Sequence, residues 1–389
     1  MTLMQPVHIV GAGIGGLTLA RCLRYKGIQA VIFEKNPSPA YHNYGISLQP
    51  WTCRLLVKIL GIDEKTFVRK VAVDGLRGGQ GIAYADEHPL ISTSQSETGL
   101  SPFRAHRGRL EALLREDLDE KVKWGYALQN IASHTASGTG HLLAFKDKES
   151  VNSRFVVDTL GVHSQIRRSL LPDLELNVLP YVVFRGTRRI EEVKFKDLYQ
   201  ERFGSGNIVE MKQADVLLQI SINNYTPDDG GVDISLIYSR PARSNDALHR
   251  PGRITGESSN IADAFFDEVS NLGELEQPFQ DAFDEKKVRS GRTLHWLMRD
   301  LLVPLEELKG LAERGVVVVG DAAHALPILG GDGACFAIRD AEALAEAVAR
   351  GKCLGGLYED LFSGWEEGVK KGRERLVDMH KSGKSACNL

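Results

Sequence analysis

The stretch VHIVGAGIGGLTLARCLRYKGIQAVIFEK, residues 7–35, decides the fold of this chain. It predicts a short apolar strand over 7–10, a turn over 11–16, a helix over 17–25 that ends near Gly27, and a second strand over 30–33 closed by Glu34. A strand, a helix and a strand in this order form a parallel unit with a right-handed crossover. The pattern therefore predicts an α/β fold that begins with a parallel sheet.

The spaced glycines of this turn are typical of a dinucleotide site. Gly11 permits the tight turn, Gly13 lets a pyrophosphate approach the helix N-terminus, and Gly16 lets helix and strand pack closely. Glu34 would bind a ribose hydroxyl, which favours FAD or NAD over NADP, and the neighbouring Lys35 is included in the predicted cofactor site. The alternative is a βαβ turn with a purely structural role.

A second strand that ends in an acid occurs in RGVVVVGDAAHALPILGGDGACFAIRDAEAL, residues 314–344. An NAD enzyme needs no such element, whereas the ribityl chain and ring of FAD need a site of their own. We expect Asp321 to accept hydrogen bonds from the ribityl hydroxyls; the alternative is a helix cap or turn acid. The loop PILGGDGA would lie against the flavin ring, with the positive end of the next helix directed towards it. Its predicted cofactor-binding residues are Gly331, Gly333 and Ala334, while His324 is predicted to be structural.

Composition limits the classes of partner. The chain has 389 residues, enough for two domains, with 42% hydrophobic and 25% charged residues and a net charge of −3. Nothing in this balance indicates a nucleic acid or an anionic membrane. The five cysteines are scattered, which argues against a disulfide framework or a metal site, and no apolar run of about 18 residues suggests a membrane span. We expect a cytoplasmic monomer or homodimer without a bound metal.

The remaining sequence alternates between helical and strand-rich regions. Helices are predicted over 50–60, 107–121, 260–272 and 280–287 and from 334 onward, and strands dominate 122–160 and 176–240. The second strand-rich region lacks long helices, so its sheet should be antiparallel or mixed. Residues 223–231 and 239–253 are predicted loops, and the tail 379–389 should be frayed. The predicted fold class is α/β: a Rossmann-like FAD-binding domain (1–74, 104–172, 291–350), an intervening mixed or antiparallel substrate sheet (75–103, 173–290), and a C-terminal helix and tail (351–389).

Four segments resemble the class A flavoprotein aromatic hydroxylases, the family that includes p-hydroxybenzoate and salicylate hydroxylases. They are VGAGIGGLTLARCLRYKGIQAVIFEK (10–35), YGISLQPWTCRLLVKILGI (44–62), AHRGRLEALL (105–114), and the long block from Trp296 to Leu344 that contains GDAAH. In the third segment the resemblance implies that Arg107 contacts FAD. The overall length and an expected short C-terminal helix are similar to the tetracycline-modifying branch.

The resemblance implies a reaction as well as a fold. NAD(P)H, as NADH or NADPH, would reduce FAD, and one atom of O₂ would be transferred to an electron-rich carbon of a small organic substrate. The cofactor supplies this chemistry, so no Ser/His/Asp triad is needed. Two other readings remain open: an FAD protein without monooxygenation, such as an oxidase or a cyclisation or rearrangement enzyme, and a non-catalytic dinucleotide-binding module.

One block departs from the family pattern. In VVDTLGVHSQIRR, residues 156–168, Leu160 stands where the family usually has Asp. We expect Ser164, Arg167 and apolar contacts to hold this loop, FAD to bind nonetheless, and the nicotinamide to bind weakly. The tetracycline-modifying branch also lacks this Asp.

Substrate contacts are expected from the strand-rich middle of the chain. Arg185 lies in YVVFRGTRRI, which resembles the family strand that passes over the flavin, and an unpaired cation in an apolar strand is costly. Arg185 is the predicted catalytic residue; its alternative is a salt bridge or a sheet-edge charge. Tyr225, Trp296 and Pro327 are weaker substrate-binding candidates, since such residues more often serve packing.

Overall fold

The computed structural model describes residues 6–85, 102–133, 140–226, 230–253, 255–330 and 332–381. Its strands are β1 Val7–Val10, β2 Ala30–Glu34, β3 Gly45–Leu48, β4 Phe103–His106, β5 Val122–Trp124, β6 Leu128–Ser133, β7 His141–Phe145, β8 Val151–Ser153, β9 Val156–Asp158, β10 Asn177–Glu191, β11 Ile208–Gln213, β12 Val216–Tyr225, β13 Gly231–Pro241, β14 Arg292–Asp300 and β15 Val316–Val318. Its α-helices are α1 Ile14–Tyr25, α2 Pro50–Leu60, α3 Glu64–Val71, α4 Arg107–Arg115, α5 Gln165–Leu170, α6 Glu192–Leu198, α7 Gln200–Phe203, α8 Asp263–Ser270, α9 Phe279–Ala282, α10 Glu285–Ser290, α11 Leu305–Glu313, α12 Gly333–Arg350 and α13 Leu354–His380.

The first sheet is parallel and has the order β15-β9-β1-β2-β5. Its central strand β1 is completely buried, and Ile9 pairs with Ile32 on one side and Val157 on the other. Helices α1 and α12 pack together beside it. Apolar residues on both faces of parallel strands explain the short runs VHIV and VVV. The predicted Rossmann-like sheet is confirmed.

The second sheet is antiparallel and has the order β11-β12-β13-β10-β14. Its longest strand is β10, with 15 residues. Helix α8 packs against one face, where Phe265 stacks on Phe184 with ring centroids 3.8 Å apart. The opposite face, which carries Arg185, lines a deep cleft towards the first sheet. An antiparallel sheet in this part of the chain confirms the predicted second layer; the exact domain boundaries stay predictions.

Several predicted element boundaries are wrong. The loop predicted over 239–253 begins only after Pro241, the last residue of β13, and the helix predicted over 280–287 is divided into α9 and α10. The helix predicted over 107–121 ends at Arg115, because Asp117 takes the left-handed conformation with φ 58°. The loop predicted over 223–231 begins later than expected, since Asn223, Asn224 and Tyr225 belong to β12 and pair with β13. Cross-strand pairing therefore overrides the loop-like composition of this segment.

The last helix is long. Helix α13 has 27 residues, so the expected short C-terminal helix is also wrong. Its first half bonds to the first sheet, since the Tyr358 hydroxyl donates to the Val318 carbonyl at 3.1 Å. Its last residue contacts the second sheet, where His380 Nε2 lies 2.9 Å from Ser239 Oγ of β13. A single helix thus connects the two sheets.

Candidate active site

A cleft of about 800 Å³ lies between the two sheets. One end is formed by the turn after β1 and by the end of β2, and the middle by α4 and the loop after β15. The other end is formed by the cleft-facing side of the second sheet and by the loop before α12. The predicted site residues that line it are Gly11, Gly13, Glu34, Lys35, Arg107, Arg185, Trp296, Asp321, Pro327, Gly333 and Ala334.

The first turn has the backbone geometry that its three glycines suggested. Gly11 has φ +114°, and a Cβ there would lie 2.8 Å from the Thr159 carbonyl oxygen. A Cβ at Gly16 would lie 2.0 Å from the Gly11 carbonyl oxygen, so Gly16 allows close packing and does not itself line the cleft. A Cβ at Gly13 would meet no atom within 4 Å and would project into open space. Of the three, Gly13 leaves room for a ligand.

The acid at the end of β2 is held in place by backbone donors. Glu34 is 9% exposed, and its two carboxylate oxygens accept from the backbone N–H of Ala12 at 2.9 Å and of Asn36 at 3.0 Å. The carboxylate therefore bridges the glycine turn and the segment after β2. The side chain remains at the wall of the cleft, next to Lys35.

Arg107 occupies the start of α4 and faces the middle of the cleft. Its Nε donates to Glu111 at 2.8 Å and its Nη1 donates to the hydroxyl of Tyr44. His42 Nδ1 lies 2.6 Å from the other oxygen of Glu111. Burial would raise the pKa of the Glu111 carboxyl, but the hydrogen bonds and charges of His42 and Arg107 hold it below its usual value. Arg107 is thus a fixed cation on the cleft wall.

Asp321 lies in the loop that follows β15, at the cleft surface. Its side chain forms no hydrogen bond or ion pair with any residue that the structure describes, and burial raises the pKa of its carboxyl. A Cβ at Gly333, the first residue of α12, would lie 3.2 Å from Asp321 Oδ1. The acid and the helix N-terminus therefore share one wall, and Ala334 and Pro327 lie on it too. Gly331, also predicted here, lies outside the described residues.

His324 is part of a buried network. Its Nε2 lies 2.6 Å from Asp340, which also accepts from the indole N–H of Trp365 at 2.9 Å and from the backbone N–H of Gly320 at 2.9 Å. His324 stacks on Trp365 with ring centroids 4.3 Å apart and does not line the cleft. The predicted structural role of His324 is confirmed, and this network fixes the loop that carries Asp321.

The segment 156–168, in which Leu160 replaces the Asp of the family pattern, is stabilised by an acid that the sequence analysis missed. Asp158 is fully buried, accepts from the Leu160 backbone N–H at 3.0 Å, and accepts from the hydroxyl of Ser164. Burial raises the pKa of its carboxyl to about 6. Ser164 Oγ accepts from the Arg167 backbone N–H at 2.9 Å, and the Arg167 guanidinium donates to two carbonyls. The prediction that Ser164 and Arg167 hold this loop is confirmed; Leu160 packs against the core and lines the cleft.

Two arginines line the cleft near the second sheet, Arg185 from β10 of that sheet and Arg104 from β4, which pairs with β3. Arg185 donates to Ser235 Oγ at 2.8 Å and lies over the rings of Tyr44 and Trp296, 5.0 and 5.2 Å from their centroids. The sequence analysis missed Arg104, because the four residues of β4 (FRAH) are too few to show a buried strand pattern around it.

Tyr225 does not belong to the cleft. Its ring lies 4.8 Å below the guanidinium of Arg77 and packs edge-on against Phe195, on the other side of the sheet. The register shift of β12 between Ile222 and Asn224 explains this position, because the extra residue there turns Tyr225 to the face opposite to Ser221, which lines the cleft. The prediction that Tyr225 contacts substrate is wrong.

The comparisons with known proteins agree with this geometry. Residues 4–178 match the family described as FAD binding domain. The FAD-dependent monooxygenase adaC of Aspergillus niger is 29% identical over 394 residues, covering 97% of this chain and 94% of that protein. Among solved structures, 2,6-dihydroxypyridine-3-hydroxylase from Arthrobacter nicotinovorans has a TM-score of 0.72 at 18% identity, covering 98% and 95% of the two chains. The tetracycline destructase Tet(55) has a TM-score of 0.69 at 17% identity, covering 98% and 90%.

These findings define the class of protein. The two-sheet fold is that of the flavoprotein hydroxylases, and the chain carries an FAD-binding domain at its N-terminus. It is an FAD-dependent monooxygenase, and its fold is similar to that of the class A flavoprotein hydroxylases. In the part of the chain that the structure describes, no helix is long and apolar enough to cross a membrane.

Proposed function

We propose that this monooxygenase uses NADH or NADPH and O₂ to hydroxylate or epoxidise an electron-rich aromatic or natural-product molecule. The observation that carries the proposal is the continuity of the cleft from the glycine turn to the second sheet. A cofactor held at the turn and along the middle of the cleft leaves the far end, with Arg185 and Trp296, for an organic substrate. The relatives that are named FAD-dependent monooxygenases support the same reading.

The residues of the cleft fit FAD. Gly13 opens the helix N-terminus to a pyrophosphate, and Glu34 and Lys35 stand where the ribose and adenine side would lie. Arg107 offers a cation to the middle of the cofactor, and Asp321 offers an unpartnered carboxylate to the ribityl hydroxyls. Gly333 and Ala334 would place backbone N–H groups near the flavin ring. When bound and reduced, FAD supplies the activation of O₂.

The protein's own task is to position the substrate and to exclude water. Trp296, Leu294 and Ile237 give the substrate end apolar walls, and Arg185 gives it a cation. We expect Arg185→Ala to retain FAD and to lose product formation. The measurement is the ratio of product formed to NAD(P)H oxidised; a variant with the rate and ratio of the wild type would reassign Arg185 to a structural role.

The test of the whole proposal is reduction of the bound flavin. Nicotinamide has no second Rossmann unit among the described residues, and Leu160 replaces an acid, so binding should be weak and transient. Anaerobic stopped-flow absorbance should show slow reduction by NADH or NADPH, with a high apparent KM, that accelerates with bound substrate. Oxygen from ¹⁸O₂ should then appear in the product.

A second candidate is an FAD enzyme that does not transfer oxygen, such as an oxidase or a cyclisation or rearrangement enzyme. The observation that favours it is Leu160, which cannot accept a hydrogen bond from a cofactor. If neither NADH nor NADPH reduces the flavin at high concentration in the presence of candidate substrates, the hypothesis of an FAD enzyme without oxygen transfer replaces monooxygenation. If Leu160→Asp raises the reduction rate, the substitution itself limits hydride delivery.

A further inference from the structure

Arg104 is a buried cation at the substrate end of the cleft. It is 9% exposed, and its Nη2 donates to Ser221 Oγ at 3.0 Å. Its Nη1 lies 3.5 Å from Ser47 Oγ, and its Nε has no hydrogen-bond partner among the described residues. The guanidinium rests on Gly45, where a Cβ would lie 2.5 Å from Arg104 Nε. The absence of a side chain at position 45 is what admits the arginine.

Arg104 and Arg185 are joined by a chain of polar groups. Ser221, which accepts from Arg104, pairs across the strands with Ser235, which accepts from Arg185. Asn223 completes the connection: its Oδ1 accepts from the Gly45 backbone N–H at 3.2 Å, and its Nδ2 donates to Ser235 at 2.9 Å. Both guanidinium groups are thereby fixed on the same patch of the cleft wall.

No carboxylate of the described residues forms an ion pair with either arginine. Their acceptors among the described residues are the hydroxyls of Ser47, Ser221 and Ser235. Further positive charges lie nearby, since Arg104 is close to Arg185 and Arg185 is close to Arg292. Tyr84 lies near Arg104 and does not neutralise it, because burial holds the pKa of the Tyr84 phenol well above its usual value.

The acids that line the cleft have other partners or lie away from the pair. Glu34 accepts from two backbone N–H groups, Glu111 pairs with Arg107 and His42, and Asp332 pairs with Gln49 and Arg375. Asp321 lies near Arg107 instead. Among the described residues that line the cleft, no acid therefore compensates the positive charge of its substrate end. Buried cations of this kind are costly unless an anion reaches them.

We propose that Arg104, together with Arg185, selects an acidic organic substrate and holds it as its oxyanion, a phenolate or an enolate. This inference rests on the proposed function, because it takes that cleft end as the substrate site. The ionised hydroxyl would receive charge-assisted hydrogen bonds, and its proton would leave to solvent. A phenolate or enolate also has more electron density on the neighbouring carbons than the neutral form, which suits oxygen transfer to carbon. Arg104 is a specificity-determining residue in this assignment.

The test measures the ionisation of a bound coloured phenol by the FAD-loaded protein. Alizarin, a dihydroxyanthraquinone, and 4-nitrophenol are the probes, because the visible absorption of each changes when its hydroxyl ionises. Bound probe should ionise at lower pH than free probe. Arg104→Gln should raise the pH of ionisation of the bound probe and weaken binding of the anion roughly tenfold, with Arg104→Lys retaining part of the effect.

Two further variants sharpen the result. Gly45→Ala keeps the charge but displaces the guanidinium, so it should also weaken anion binding. Arg189 lies in β10, the strand of Arg185, is exposed, and forms an ion pair with Asp233. Arg189→Gln therefore serves as the control and should leave probe binding unchanged. Thermal unfolding and retained flavin confirm that each variant is folded.

The proposal is overturned if neither probe binds wild type more tightly as the anion, or if Arg104→Gln changes nothing. It is also overturned if Arg104→Gln loses FAD while the ionisation of bound probe stays as in wild type, since Arg104 would then serve the cofactor. Because the readout is binding, its failure is distinct from failure of the proposed function: a protein that binds the anion but does not oxidise NAD(P)H keeps this inference and loses monooxygenation.

Discussion

Arg167 donates a hydrogen bond of 2.8 Å to the carbonyl of Ala322, which joins the loop after β9 to the loop that carries Asp321. A second bond of 2.6 Å runs from the same guanidinium to the Val162 carbonyl. Arg167 is 2% exposed, so both acceptors lie where little water can replace the donor. The side chain of Arg167 thus holds both the loop after β9 and the GDAAH loop after β15.

Arg167→Met should therefore destabilise the fold. Removing the guanidinium leaves two carbonyls without their donor, and the expected loss is about 2–4 kcal/mol in the free energy of unfolding. Chemical denaturation with and without FAD measures it. The neighbouring Arg168 is exposed, so Arg168→Met is the matched control and should change stability by less than about 0.5 kcal/mol. Equal stability of the two variants would show that the bonds of Arg167 are not needed.

Asp158 should make stability depend on pH. Its pKa in the folded protein, about 6, is above the ordinary value of 3.8, so the folded state retains a proton that the unfolded state releases. The contribution of this group is complete below about pH 4 and is lost as the pH rises to about 6, by roughly 2–3 kcal/mol. Asp158→Asn lacks this titration. Wild-type stability relative to this variant should fall across that interval; a constant difference from pH 4 to 7 contradicts the prediction.

Gly13 and Gly16 should respond differently to alanine. At Gly16 the new Cβ would lie 2.0 Å from a backbone carbonyl oxygen, so Gly16→Ala should impair folding of α1 against β1. At Gly13 the Cβ would meet no protein atom within 4 Å, so Gly13→Ala should fold normally and bind FAD more weakly. Circular dichroism and flavin fluorescence titration separate the two effects. Normal FAD affinity in Gly13→Ala would mean that no phosphate approaches this residue.

Asp321→Ala should weaken FAD retention. One charge-assisted hydrogen bond contributes roughly 1.5–3 kcal/mol, which corresponds to a loss of about tenfold or more in affinity. The measurement is the dissociation constant of FAD after removal and re-addition of the cofactor. Asp197 is exposed on α6, and Asp197→Ala serves as the control for loss of one negative charge. An unchanged dissociation constant would leave Asp321 with a turn-forming role.

Local patterns predicted the residues that line the cleft around the glycine turn and the loop after β15. The positions of Gly11, Gly13 and Gly16 follow from a turn whose constraints act within a few residues, and Glu34 follows from the length of β2. Asp321 was also predictable, because the sequence alone shows an acid directly after the buried strand VVVV. The start of α1 at Ile14 differs by three residues from the predicted start, since glycines at the beginning of a helix conceal its first turn.

The end of the cleft beside the second sheet depends on contacts between distant segments, and sequence patterns predicted less of it. Arg104 faces the cleft only because β4 pairs with β3 and packs near β12, which no local pattern reveals. Asp158 was not predicted, because its contacts with the Leu160 N–H and the Ser164 hydroxyl depend on the conformation of the loop after β9. Tyr225 was misplaced because pairing with β13, rather than the composition of NNYTPDDGG, decides where β12 ends.

The long helix α13 restricts how this molecule can open. Arg373 bonds to Asp300 at the end of β14, and Arg375 bonds to Asp332 in the loop before α12. A Cβ at Gly372 would lie 2.9 Å from Pro327 Cδ, so the helix touches the cleft loop directly. A rigid rotation of one sheet away from the other would have to break these contacts together with those of Tyr358 and His380. Because α13 holds the two sheets together, we expect substrate to enter and leave by short-range movement of segments at the mouth of the cleft. A hinge motion between the two sheets is not expected.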